Sequence, residues 1–296
     1  MSLDKIKFWI DESTNTFSDI ISCVFTGGEC TLLGKDLCEA IKYSHSKHLK
    51  NRIVSNGHWA TSESDAVKYL SKLKESGLDE LNLSTGDEHQ KWVPYERIVY
   101  ACTAAANLGI FTAVNIENTP KSLFNSTVML NDDRVSELIK SRRIVIKDSL
   151  WIDFNKSEDN TSTNTCALNE GPCTNIFNTI TISPQSHLLA CCGITCRESR
   201  YLDLGDALKY PIGRLYDEQF DDLLKLWLYT HGPKDIYTFL CKEKGITDNS
   251  CKYPHICSLC HHIMDDDSNM TIIKSNVSNI LPTVMFKFQF INCILN

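Results

Sequence analysis

Apolar and polar positions along the first half of the chain repeat with a long period. Short apolar runs centre near Ile21, Ile53, Leu81, Ile110 and Ile144, at steps of 32, 28, 29 and 34 residues. Each step is the length of a strand, a crossover helix and two loops. The run Asp19 to Phe25 reads as a buried strand. Between the runs the apolar spacing turns helical, from Leu3 to Ser13 and from Leu33 to Tyr43. Ser62 is a natural N-cap before Val67, Leu70 and Leu73, with Gly77 as the stop. Pro94 opens a helix carrying Ile98, Val99, Ala101, Cys102 and Ala105, closed by Gly109. Repeated strand–helix units predict an α/β fold with a parallel sheet, either barrel or doubly wound.

In both architectures ligands gather at the carboxyl ends of the strands. There the sequence places Thr26-Gly27-Gly28-Glu29, Ser55-Asn56-Gly57-His58, Ser84-Thr85-Gly86-Asp87-Glu88-His89 and Asn115-Ile116-Glu117. Gly27 and Gly28 lack a Cβ, so a ligand can approach the backbone closely. Glu29 beside them is a natural partner for a ligand ammonium group. Loops are polar in any case and most Gly-Gly pairs are turns; the recurrence of acids and histidines at one edge is what stands out.

From about Trp151 the period is lost, which sets a domain boundary and divides the chain into residues 1–150 and 151–296. Asn155 to Asn169 is rich in Asn, Ser, Thr and Asp and reads as a linker. Thr179 to Ser183 and His187 to Cys192 read as a hairpin about Pro184-Gln185-Ser186. Glu218 to Tyr229 reads as one amphipathic helix, ended by Gly232-Pro233. The apolar tail from Ile280 to Leu295 is interrupted by Pro282, Lys287 and Gln289, so it reads as a strand or docking segment.

The net charge is -7, with 30 basic and 37 acidic residues, which argues against a nucleic-acid surface. Residues 1–20 carry Asp4, Lys5, Asp11 and Glu12, so they do not form a signal peptide. No run of about 20 apolar residues predicts a membrane span. A cytoplasmic protein follows, with no membrane partner. Its 14 cysteines are then many. Thiols stay reduced in the cytosol, so metal or iron–sulfur ligation explains the count better than disulfides. Cys23, Cys38 and Cys102 lie in apolar strand or helix patterns and read as small buried hydrophobes.

Cys257-Ser258-Leu259-Cys260 is a CxxC, which can bring two thiolates to one centre from a single tight turn. Zinc, iron–sulfur and thiol-redox sites all use that spacing. The redox use wants the motif at a helix start after a strand, a context absent here. Zinc would pair it with a second half such as Cys192-x3-Cys196. An iron–sulfur cluster needs four thiolates, and Cys173, one of Cys191 and Cys192, Cys257 and Cys260 are candidates to supply them. His261, His262 and Asp265 to Asp267 read as a solvated end. His45 and His48, three apart on a helix, read as surface positions.

From about residue 3 to about 262 the chain resembles the radical S-adenosylmethionine (SAM) superfamily, in its members with a C-terminal SPASM or twitch extension. The barrel part of the likeness rests on Phe25-Thr26-Gly27-Gly28-Glu29, Val54-Ser55-Asn56-Gly57 and Leu81-Asn82-Leu83-Ser84. The extension rests on Ile182-Ser183-Pro184, Cys191-Cys192-Gly193, Leu204-Gly205 and Cys257-x2-Cys260. The resemblance implies an incomplete parallel (β/α) barrel over 1–150 and a cysteine-rich α+β extension over 151–296. It implies that Gly27, Gly28 and Glu29 hold the methionyl end of SAM. Ser84 would position its ribose or carboxylate, and Asn56 would shape the loop. Cys173, Cys191 or Cys192, Cys257 and Cys260 would bind an auxiliary [4Fe-4S] cluster, with zinc as the alternative.

The family's catalytic cluster sits on a CxxxCxxC loop after the first strand. This sequence has no CxxxCxxC, and Met1 stands where the following helix starts. Cys30, where the family usually has proline, reads as incidental. The expectation is therefore either a shortened member or a reading frame that begins late, of a protein that in intact form cleaves SAM reductively and modifies a substrate, a peptide or small protein first. The chain as written is expected to be inactive. Two rivals are a non-catalytic metal-stabilised module that binds a peptide or partner, and a different enzyme using Glu29, Asp87 and His89 in acid–base work.

Overall fold

The computed structural model describes residues 1–119, 121–150, 171–193, 196–253 and 255–295. The predicted linker Asn155 to Asn169, with Cys166, lies outside the described residues. The chain divides into two compact units, Met1–Trp151 and Ile152–Asn296.

The first unit alternates helix and strand. In chain order it holds α1 (Leu3–Thr16), β1 (Ser22–Phe25), α2 (Lys35–Ser46), β2 (Lys50–Ser55), α3 (Glu63–Glu75) and β3 (Leu78–Gly86). Then follow the single turn α4 (Asp87–Gln90), α5 (Tyr95–Asn107), β4 (Phe111–Asn118), α6 (Ser126–Leu130), α7 (Asp133–Lys140) and β5 (Ile144–Leu150). Ser62 caps α3 by accepting the Asp65 N–H at 3.1 Å. Gly77 (φ +105°) and Gly109 (φ +66°) turn the chain out of α3 and α5, as the sequence predicts.

The five strands form one parallel sheet in the order β1-β2-β3-β4-β5. The fold is α/β. Its register runs Phe25, Ile53, Leu81, Thr112, Ile144 across one face. That face is apolar and buried against Leu37 and Ile41 of α2, Leu70 and Leu73 of α3, Ile98 and Cys102 of α5 and Val135 of α7. The other face runs Val54, Asn82, Ala113, Val145, and above it Ser84, Asn115, Lys147. None of those residues belongs to the core. A doubly wound sheet is covered on both faces and its strands are apolar throughout. Here sequential strand order keeps every crossover on one side, and the remaining face mixes Val54, Ala113 and Val145 with the polar Asn82, Ser84, Asn115 and Lys147.

Four expectations need correction. The strand ending at Phe25 is buried on one side only: Ile21 is 78% exposed and Val24 is exposed, while Phe25 is buried in the core and the half-buried Ile20 and Cys23 pack against it. It is the first strand in the sheet order and pairs with β2 alone among the described strands. His45 is in the last turn of α2, but His48 lies beyond it at φ +65°; both are exposed. Asn115 to Glu117 lies inside β4 and not after it. Ser84 to Gly86 likewise closes β3 from within.

The second unit holds the antiparallel strands β6 (Thr181–Ile182), β7 (His187–Leu189) and β8 (Asp203–Asp206). The predicted hairpin is thus β6–β7. The helices α8 (Ile212–Asp217), α9 (Leu223–Thr230), α10 (Pro233–Lys244), α11 (Ile256–Asp265), α12 (Asp267–Ser275) and α13 (Val277–Leu295) follow. The single helix predicted over Glu218 to Tyr229 is broken. A 3-10 turn covers Glu218–Asp221, and Asp222 starts α9 anew by accepting the Leu224 N–H at 2.9 Å. The tail is also corrected: it is helical through Pro282. Ile280, Val284 and Phe288 recur every four residues and pack into the second core, where Phe177, Phe220, Tyr229 and Phe288 meet ring to ring. That burial outweighs the hydrogen bond proline removes at the Ser278 carbonyl, on an exposed residue. No helix among the described residues is long and apolar enough to cross a membrane.

Candidate functional sites

Parallel strands bring all five carboxyl ends to one edge of the first unit's sheet. Glu29 follows β1 and caps the 3-10 turn Cys30–Leu33. Its Oε1 accepts the Thr31 N–H (3.2 Å) and the Thr31 hydroxyl (2.6 Å), and its Oε2 accepts the Asn56 N–H (2.9 Å). The carboxylate therefore bridges the loops after β1 and β2. Asn56 shapes its own loop, its Oδ1 accepting the His58 N–H at 3.0 Å. Gly27, at φ +126°, and Gly28 are exposed, and a Cβ added to either would meet nothing within 4 Å. The space beside them is open, as a ligand's approach requires.

Ser84 is half-buried on the mixed face of β3, in register with Asn115 of β4 and, one strand on, Lys147 of β5. Asn82 Oδ1, on the same face, is buried without a hydrogen-bond partner among the described residues. At the end of β3, Gly86 lets the backbone pass so close to β4 that a Cβ there would lie 2.4 Å from the Glu117 carbonyl oxygen. His89 Nδ1 faces Glu117 Oε2 at 3.0 Å. Asp87 is engaged elsewhere, accepting the Leu123 and Phe124 N–H groups at 2.8 and 2.9 Å. Of the acid–base set Glu29, Asp87 and His89, two members are thus anchoring local backbone. Cys30 is buried, its thiol donating to the Val54 carbonyl at 3.3 Å, and burial pushes its pKa up to about 12.

The second unit brings four predicted ligands together. Cys173, Cys191, Cys257 and Cys260 line one cavity of about 20 Å³, otherwise walled by mainly apolar groups such as Ile176, Leu202, Leu228 and Ile256. Cys173 is fixed where its N–H meets the Leu228 carbonyl at the end of α9 (2.9 Å). Cys191 follows β7. Cys257 and Cys260 sit in the first turns of α11, whose N-cap His255 accepts the Cys257 N–H through Nδ1 at 3.0 Å. The CxxC thus opens a helix instead of forming a tight turn, and what precedes it is a 3-10 turn, Ser250–Lys252, not a strand. A Cβ on Gly193 would lie 3.3 Å from Cys257 Sγ and 3.4 Å from Cys191 Sγ, so glycine leaves room between them. Cys192 is exposed and does not line the cavity.

Burial, together with the neighbouring Cys173, Cys257 and Cys191 thiols, drives the Cys260 pKa well above the ordinary value. Burial raises Cys173 as well. An activated redox thiol shows the opposite shift. Cys191 is raised first by donating its proton to Cys196 and then by burial, and Cys196 is lowered by accepting that bond. Sequence reasoning did not single out this Cys191–Cys196 contact; their separation of five residues was its one signal. It also left out Thr31, two residues after Glu29. Cys251 is disulfide-bonded, while 12 of the described cysteines form no disulfide. Among the described residues no three or more His, Cys, Asp and Glu side chains are placed to hold a single metal ion.

No protein-family model matches the sequence, and no curated protein matches it.

Proposed function

We propose that the chain is a radical SAM superfamily protein whose second unit holds an iron–sulfur cluster on Cys173, Cys191, Cys257 and Cys260. The observation that carries this reading is the gathering of these four thiols, from three separate segments, around one mainly apolar cavity. A cluster takes one thiolate per iron, so the donor set fits it. The present volume is closer to that of a water molecule, and seating a cluster requires the sulfurs to spread. When bound, such a cluster supplies one-electron chemistry.

The first unit supports the reading in a second way. Its strands are sequential, and among the described residues of this unit the crossover helices pack on one side, as in a sector of a (β/α) barrel. The opposite face and its carboxyl edge carry Ser84, Asn82, Asn115 and the open Gly27-Gly28 backbone. These would take the polar groups of SAM and of a substrate such as a peptide. With no CxxxCxxC in the sequence, the chain has no thiolate set for a catalytic cluster, so it binds iron without cleaving SAM. The test is anaerobic reconstitution, then SAM and dithionite, with 5′-deoxyadenosine measured. Bleaching of an iron–sulfur absorbance without 5′-deoxyadenosine is the expected result. Formation of 5′-deoxyadenosine by the chain alone would refute the inactivity.

One observation favours a second reading, a non-catalytic binding module stabilised by zinc or a cluster. Both Glu29 oxygens already serve Thr31 and Asn56, a role that holds loops and needs no SAM. It predicts the same fold and no measurable SAM binding by calorimetry.

A further inference from the structure

We propose that α13 is a self-association helix, through which two copies of the chain pair antiparallel in solution. The helix is apolar on two opposite sides. On one side Ile280 and Val284 are buried in the second core, and Phe288 packs against it. At 3.6 residues per turn, Phe286 and Phe290 come round to the other side, with Pro282, Cys293 and Ile294 beside them. Phe286 is 72% exposed, Phe290 58% and Ile294 66%. Pro282 and Cys293 are exposed as well. A helix that is hydrophobic all round is normally buried all round, whereas the core covers only one side of α13. The stripe runs along the helix without a break, so it is one surface and not scattered apolar positions.

A second copy fits this stripe by area, charge and shape. The exposed parts of these side chains present roughly 500 Å² per chain, so a pair removes about 1,000 Å² from water, the lower bound of a specific interface. No charged residue interrupts the stripe, so two copies meet without repulsion. Lys287, the one charged residue of α13, is half-buried and stands to the side. In an antiparallel pair centred on the turn between Phe286 and Phe290, each Phe286 meets the partner's Phe290, and each Pro282 meets the partner's Ile294. The contact is self-complementary, as a two-fold interface requires, and the two helix dipoles run opposite ways. A membrane surface is the poorer occupant. An interfacial helix carries Lys and Arg along its polar face, whereas α13 has one basic residue in a chain of net charge -7. The pairing does not rest on the radical SAM reading.

The experiment is sedimentation velocity on the full chain, with reductant present, from low to high micromolar concentration. The wild type is expected to move from monomer to dimer mass as concentration rises. Phe286→Asp and Phe290→Asp should each raise the dimer dissociation constant at least about tenfold. Both rings are exposed, so the thermal midpoint and circular dichroism should match wild type; where an aspartate variant fails that check, Phe286→Ser and Phe290→Ser replace it. A wild type that stays monomeric, or variants that dimerise as wild type does, overturns the proposal. Monomer that floats with phosphatidylcholine vesicles and forms no dimer overturns it in favour of a membrane. The orientation is read from Thr283→Cys, oxidised with copper–phenanthroline in air and mapped by fragmentation mass spectrometry. The antiparallel pair places position 283 of one copy beside Cys293 of the other, so a 283–293 link in the dimer band is expected. A link between the two copies' Cys293 overturns the antiparallel arrangement.

Discussion

The Glu29 carboxylate accepts the Asn56 backbone N–H at 2.9 Å, joining the loops after the first two strands. With the two bonds from Thr31, this fixes the carboxyl edge of the sheet where Gly27 and Gly28 lie open. Glu29→Gln keeps the shape but turns an NH2 group toward one donor. Losing a charge-assisted bond there costs about 1–2 kcal/mol, read as a lower urea midpoint. On the SAM reading the same variant also weakens SAM binding in calorimetry. A stability loss with no SAM binding in either protein assigns Glu29 to the loops alone.

Two glycines separate packing from ligand access. Gly86 sits at φ +148°, and a methyl there would meet the Glu117 carbonyl oxygen at 2.4 Å. Gly86→Ala is expected to destabilise the chain by about 3 kcal/mol or more, from strain and overpacking together. Gly28→Ala places its methyl in open space, so its thermal midpoint should match wild type. If SAM lies against Gly28, this variant loses affinity without losing stability. Full SAM affinity in Gly28→Ala would move the cofactor away from the Gly-Gly backbone.

Asp248 gives the second unit a pH signature. Its carboxylate accepts the Ser250 N–H and the Thr238 hydroxyl, each at 2.8 Å, and pairs with Lys234 at 3.3 Å. Burial alone would raise its pKa, but these bonds outweigh it and hold it at about 2, below the ordinary 3.8. A depressed carboxyl stabilises the fold fully above the unfolded value and less as pH falls toward the folded one. Asp248→Asn should therefore cost about 1–2 kcal/mol near neutrality. The gap to wild type should close between about pH 4 and pH 2. Denaturation curves across that range check it; a gap that widens on acidification would contradict the assignment.

The strand centres were legible because a buried strand face leaves apolar residues at alternate positions, as at Ile53, Leu81, Leu83, Val114 and Ile116. Their order and the one-sided placement of the crossover helices were not, because pairing is long-range. Pro282 and the polar residues after it hid a helix whose Ile280, Val284 and Phe288 spacing was present in the chain. Asp222, an N-cap inside an apolar run, hid the break between the 3-10 turn and α9. At the thiol cavity the sequence supplied the three segments but could not choose between Cys191 and Cys192. Adjacent residues leaving a strand point opposite ways, and only the fold shows which of them faces Cys257.

The most direct test of the account is the iron and sulfide content of the anaerobically reconstituted chain, beside single Ser variants at Cys173, Cys191, Cys192, Cys257 and Cys260. The account predicts about four iron and four sulfide per chain in wild type and Cys192→Ser, and loss of the cluster in the other four. Stoichiometric zinc without sulfide, no metal at all, or loss in Cys192→Ser with retention in Cys191→Ser would contradict it.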